Sequence, residues 1–176
     1  MANVLKEHKI IDTQNRSLVK YVWISDGTAE SNTTLIDVSA LAYSLNANSV
    51  IMVGGADPKP SYKTTIRRIY GTVKANTYIA LQWYGLNGLA NDEIVTINSG
   101  NFDLRPDYPG HPGTLPNPNV GDPANTNGDI VFSVPTPNEG DNFTLIFDIK
   151  KDNHDYDAGQ TADPSAFNRG VSAGPL

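Results

Sequence analysis

Three histidines, His8, His111 and His154, supply all the imidazole in the chain, and they stand far apart in sequence. A zinc site needs three or four deprotonated donors converging, commonly with two histidines at i, i+2 or i, i+4, and no pair here has that spacing. Cysteine is absent, which removes disulfides, thiolate metal sites, iron–sulfur clusters and cysteine nucleophiles together. Asp148, Asp152, Asp155 and Asp157 offer oxygen ligands without the one-three-five spacing, glycine and closing glutamate of a calcium loop, so a solvated acidic tail accounts for them. No Gly-x-Ser-x-Gly elbow occurs, and Gly85-Leu86-Asn87-Gly88 is not followed by the Gly-Lys-Ser/Thr of a phosphate loop. Asp92, Glu93 and Asp103 would be a glycosidase pair only if the fold set two of them across a cleft, and as turn residues they need no such role. The reading is therefore of a non-enzymatic chain with no catalytic residue, metal ligand or cofactor.

Charge narrows the partners. Thirteen Lys+Arg against nineteen Asp+Glu give a net charge of −6 and an isoelectric point near 4.9, so the surface as a whole repels nucleic acid and anionic membranes. No apolar run reaches the roughly 18 residues of a membrane span, and the charged stretch Met1 to Lys9 does not read as a secretory signal. Against this acidic background Lys59, Lys63, Arg67, Arg68 and Lys74 form a basic segment. It reads either as a charged edge strand that blocks aggregation or as a docking patch for an acidic partner. Trp83 with Tyr78 and Tyr84 reads as core, with a sugar-stacking platform as the alternative.

The elements that must position these groups are strands. Gly 15 and Pro 12 mark a turn-rich chain. In Tyr78 to Tyr84 apolar Ile79, Leu81 and Trp83 alternate onto one face, and Phe143, Leu145, Phe147 and Ile149 repeat the pattern. Leu18 to Ser25, Thr34 to Val38, Tyr62 to Val73, Glu93 to Ile97 and Asp129 to Val134 are rich in β-branched and aromatic residues between turn formers. Seven such strands predict an antiparallel β-sandwich of jelly-roll type, with a core of Val22, Ile24, Ile79, Leu81, Trp83, Ile130, Phe132, Phe143, Leu145 and Phe147. One short helix is expected at Ser39 to Leu45, capped by Ser39. Pro106, Pro109, Pro112, Pro116, Pro118 and Pro123 make residues 105–127 a long external loop. The expected organisation is an N-terminal arm over 1–17, a sandwich over 18–151 and an extended polar tail over 152–176.

Several pieces in order carry a resemblance. Lys20-Tyr21-Val22-Trp23-Ile24-Ser25-Asp26-Gly27-Thr28, then Thr34-Leu35-Ile36-Asp37-Val38-Ser39-Ala40, Ala80-Leu81-Gln82-Trp83, Ser99-Gly100-Asn101-Phe102-Asp103, Leu115-Pro116-Asn117-Pro118, Asn127-Gly128-Asp129-Ile130-Val131-Phe132 and Gly140-Asp141-Asn142-Phe143-Thr144-Leu145 resemble small virion structural proteins of tailed bacteriophages, of the cyanophage and marine phage type. The resemblance spans about residues 18 to 150 and departs from the family in the proline loop and the tail after Lys150. It implies a homo-oligomeric capsid decoration, or cement, protein at the virion surface. Such a protein is made in the host bacterial cytoplasm and binds the major capsid protein and copies of itself, with no nucleic acid, membrane or small-molecule partner. A neck, tail or fibre adaptor is the alternative, and a carbohydrate-binding module a third. Contacts are expected from Lys6, His8, Lys9 and Arg16 in the N-terminal arm, Lys63, Arg67 and Arg68 in the basic strand, Tyr108 in the proline loop, and Tyr156 and Phe167 in the tail.

Overall fold

The longest alternation in the chain sets the frame. In a computed structural model describing residues 2–46, 59–76, 78–108, 111–112, 114–118, 124–152 and 155–156, Glu139–Lys151 is the central strand of the larger sheet. Every second residue from Asp141 is buried, so one side of the strand lies against a core.

In chain order the strands are β1 Val4–Asp12, β2 Arg16–Asp26, β3 Glu30–Ile36, β4 Thr64–Lys74, β5 Ile79–Trp83, β6 Asp92–Ile97, β7 Gly100–Leu104, β8 Asp107–Tyr108, β9 His111–Pro112, β10 Leu115–Pro116, β11 Ile130–Val134 and β12 Glu139–Lys151. The larger sheet runs β1-β2-β12-β4, and β4 carries both β7 and β10 on its far side; the smaller runs β3-β11-β5-β6. Strands β8 and β9 form a separate antiparallel pair. All named pairings are antiparallel, so the molecule is all-β with two principal antiparallel sheets, consistent with a β-sandwich. All seven expected strands are present, with boundaries shifted by a few residues.

Aromatic side chains join the two layers. Trp23 of β2 stacks on Phe143 of β12, with centroids 5.5 Å apart, and Phe132 of β11 meets both rings edge-on at 6.0 and 5.4 Å. Such edge and offset contacts add to the burial of large apolar area. Gly71 of β4 faces this layer at φ +152, where a Cβ would stand 2.0 Å from the Thr144 carbonyl oxygen, so only glycine lets β4 lie this close to β12.

The expected core needs one correction. Val22 is half-buried and Ile24 is 46% exposed, because the buried face of β2 is Ser17, Val19, Tyr21, Trp23 and Ser25. Both faces of this strand are apolar, and the one bearing the two large rings has more surface to remove from water. The other eight expected core residues are buried.

The N-terminal segment also differs from an arm. Val4–Asp12 pairs with β2 through eight register positions and forms the edge of the larger sheet. Asn3 anchors its start, accepting from the Asp26 amide and donating to the Thr28 carbonyl. The expected helix is a single 3-10 turn, Val38–Ala40, and its cap is Asp37, whose carboxylate accepts from the Ser39 and Ala40 amides. Asp37 precedes the turn with two acceptor oxygens, which outcompetes a serine hydroxyl placed inside it.

At the far end of β12 the chain turns back onto its own sandwich. The Lys151 side chain is fully buried, and its ammonium donates to Asp12, to the Thr13 carbonyl at 2.8 Å and to the Ala42 carbonyl at 2.8 Å. An ammonium has three N–H groups, and each has an acceptor here. Burial lowers the Lys151 pKa, and the hydrogen bond and charge of Asp12 oppose that shift. Tyr156 lies beyond, fully buried, with its ring 5.6 Å from Tyr62, 5.1 Å from the Lys151 nitrogen and its hydroxyl on the Val38 carbonyl. Asp152, Asp155 and Tyr156 are therefore part of the domain rather than the start of a free tail; residues 153–154 and 157–176 lie outside the described residues.

Four substitutions test this packing by denaturant unfolding. Phe147→Ala should cost about 3–5 kcal/mol, while Ile24→Ala on the opposite face of the sheet should cost less than about 1 kcal/mol. Lys151→Met, which strands the Asp12 carboxylate and two carbonyls, should cost on the order of 3–5 kcal/mol, and adding Asp12→Leu should recover most of it.

Candidate docking surface

Directly opposed residues of an antiparallel pair share a face, so the registers define the outer surface of the larger sheet. One row across it reads His8, Lys20, Ile146, Tyr70 and Asp103; the next reads Lys6, Val22, Thr144, Thr72 and Asn101. Flanking rows bring Val4 and Ile24 alongside Asn142 and Lys74, and Ile11 and Leu18 alongside Asp148 and Arg68; Arg16, Lys150 and Thr65 close that end. Between these limits the face carries Lys6, Arg16, Lys20, Arg68, Lys74 and Lys150 against the carboxylates Asp103 and Asp148. At the opposite border Asp26 stands beside Glu139.

Both carboxylates within the patch are already held by arginine. The Arg16 guanidinium donates twice to Asp148, at 2.8 and 2.9 Å, and Arg68 donates twice to Asp103 at the same distances. Hydrogen bonding and charge raise the pKa of both guanidinium groups, and the Arg68 bond holds the Asp103 carboxyl below its usual value. The Arg68 carbon also sits 4.3 Å from the Tyr70 ring centroid, a cation–π distance. Lys6, Lys20, Lys74 and Lys150 have no carboxylate at salt-bridge distance among the described residues. A shallow groove of about 410 Å³, lined by Lys6, Glu7, His8, Lys20 and Val22, runs along the β1–β2 side of this face. Four free ammonium groups set between Val22, Ile24 and Ile146 can meet an extended acidic, partly apolar surface.

The structure gathers some of the expected contact residues here and scatters others. Lys6, His8, Arg16 and Arg68 lie on the face. Lys9 points to its other side, donating to the Ala40 carbonyl at 3.0 Å with Glu7 at 3.6 Å. Arg67 is exposed at the bulge where β4 slips against β12, and Lys63 is exposed just before β4. Because β4 has neighbours on both sides, the basic segment is not an edge strand that blocks aggregation. Tyr156 is buried and offers no contact, because the polar composition around it hid a ring that fills the base of the core. Phe167, His154 and the side chain of Tyr108 lie outside the described residues. Lys74 belongs to the basic segment weighed above as a docking patch, whereas Lys20, Lys150 and Ile24 are not among the expected contacts; assigning the even residues of β2 to solvent would have found Lys20 and Ile24.

The other candidate chemistry disperses. Trp83 is buried while Tyr78 and Tyr84 stand at opposite ends of β5, six residues or about 20 Å apart in an extended strand. Asp92 and Glu93 belong to β6 of the smaller sheet and Asp103 to β7 of the larger. Asp148 is taken by Arg16, and Asp155 accepts from Lys59 and from the Lys63 amide. Among the described residues no three His, Cys, Asp or Glu side chains gather as a metal would need.

One half-buried acid, Asp129, has a raised pKa. Burial, with Asp37 nearby, pushes Asp129 up to about 6, although the Val38 amide and the Asn127 side chain donate to it. Its place between the 3-10 turn and β11 is structural, and its linkage to folding has a definite sign. A raised carboxyl contributes stability that is complete below the ordinary carboxylate value and is lost as pH rises through about 6. The stability of the native chain relative to Asp129→Asn should fall by up to about 3 kcal/mol between about pH 4 and 7. A difference that stays flat across this range in chemical denaturation would refute the assignment. Comparison of the chain with protein-family models, curated proteins and solved structures finds no match.

Proposed function

We propose that the chain is a non-enzymatic structural protein of a tailed-phage virion, a decoration protein that lays the outer face of its larger sheet on an acidic region of the capsid exterior. The observation that carries this reading is the sorting of charge. A chain of net charge −6 keeps four lysines without carboxylate partners on one sheet face, interleaved with exposed apolar side chains. Complementary potentials of this kind steer and orient attachment, and many symmetric copies let individually weak contacts hold.

Strand order adds support for the jelly-roll part of the proposal. Counting the eight principal strands β2, β3, β4, β5, β6, β7, β11 and β12 as first to eighth, the larger sheet reads first, eighth, third, sixth, and the smaller reads second, seventh, fourth, fifth. That is the order of two interlocked Greek keys, an architecture used in viral capsid and lectin domains. A neck, tail or fibre adaptor remains the second reading, favoured by the same resemblance of the segments between residues 18 and 150, and it differs in copy number. The carbohydrate-binding reading loses its central ring, since Trp83 is 2% exposed.

Purified particles decide between the first two readings: decoration predicts copies in fixed proportion to the major capsid protein, and an adaptor predicts a handful per particle. On capsids stripped of native copies, Lys20→Glu combined with Lys150→Glu should lower retention by about tenfold or more, with a steep dependence on salt. Unchanged retention at an unchanged melting temperature would remove the proposed face from attachment.

A further inference from the structure

The edge of the larger sheet is long, exposed and apolar. Eight of the nine residues of β1 are exposed, with Val4, Leu5, Ile10 and Ile11 between 37% and 45%. Among the described residues β1 bonds to β2 alone. A strand of this length leaves a row of N–H and C=O groups facing outward, which proteins ordinarily shorten, cover or pair.

In β1 the regular pairing with β2 runs from Val4 to Lys9, so His8 has one charged neighbour on each side before the bulge at Ile10. Glu7 and Lys9 flank His8 with opposite charges, both on the side of the sheet shared with Tyr21 and Val19, and their charged groups lie 3.6 Å apart. We propose that β1 pairs antiparallel with β1 of a second copy across a two-fold axis at His8, joining two sheets into one. In this register Glu7 of each copy stands opposite Lys9 of the other, so four charges alternate in sign around the axis. The regular ladder extends over Glu7 to Lys9, and the bulge at Ile10 ends it there, leaving Ile11 on the face of His8 and Leu5 on the other. Displacing the axis destroys the match: centred on Glu7 it opposes Leu5 to Lys9, and centred on Lys9 it opposes Lys9 to itself. A two-fold contact uses the same patch on both copies, so each favourable pair is made twice. The pairing is a property of the isolated protein and does not depend on attachment to a particle.

The chain has no cysteine, so single introduced thiols report the register cleanly. His8→Cys places two thiols directly opposite each other at a distance an antiparallel pair can bridge. Lys6→Cys separates them by four residues, about 13 Å along the strands, and cannot close. Light scattering should give twice the 19.0 kDa chain mass, and mild oxidation should crosslink His8→Cys but not Lys6→Cys. Glu7→Lys and Lys9→Glu should each weaken dimerisation by about tenfold or more, and the double swap should restore it to within about threefold of the native value. A protein that stays monomeric at every concentration, a dimer in which Lys6→Cys crosslinks as readily as His8→Cys, or a double swap as weak as the single ones would overturn the proposal.

Discussion

The buried ammonium of Lys151 is the constraint on which the lower end of the molecule depends. A lone charge removed from water is strongly unfavourable, so the chain must deliver three acceptors to one point or leave that point to solvent. Asp12 and Thr13 come from the end of β1, and Ala42 from the segment after the 3-10 turn. The Lys151 amide also donates to the Asn15 carbonyl. Segments distant in sequence are thus fixed relative to the last residue of the central strand. Asp12 also accepts from the Ala42 amide at 2.9 Å, so the same carboxylate ties two of those segments to each other. With the acceptors in place, Tyr156 closes over the site and shields it from water.

Much of the fold was legible because alternation with a single apolar face leaves little choice. In β5 and β12 the rings and aliphatics all fall on one side, and those strands lie as the pattern says. Strand β2 was ambiguous because Val22 and Ile24 compete with Tyr21 and Trp23; the charged residues Arg16, Lys20 and Asp26 on the even face carried the missing information. Strand β1 was missed for a different reason. As an edge exposed on both faces it has no reason to alternate, and its charges resemble those of a free arm. The docking face was legible only in fragments, since a surface built across several strands exists only once their registers are known. His8 and Lys20 are twelve positions apart in sequence yet directly opposed in the sheet.

The two sheets divide their tasks. Inner faces hold the aromatic contacts that join the layers, and the two carboxylates within the outer patch of the larger sheet, Asp103 and Asp148, are neutralised in place by arginines. Lysines remain as mobile point charges, a division that fits the chemistry: the planar guanidinium locks a carboxylate with two bonds, while an ammonium on a flexible stem adapts to whatever approaches. The face therefore combines fixed pairs, which set its shape, with free cations that carry its net field.

The far edge of the larger sheet has a consequence for growth. Beyond β4 the row of backbone groups is divided between β7, which pairs with Ile69 to Val73, and the two residues of β10, which pair with Ile66 and Thr65 and include Pro116. In the smaller sheet β3 slips register twice against β11, and β6 slips once against β5. In the language of step-growth polymerisation, association through β1 alone gives the molecule a functionality of one, and a species with one reactive end can form pairs but cannot propagate a chain.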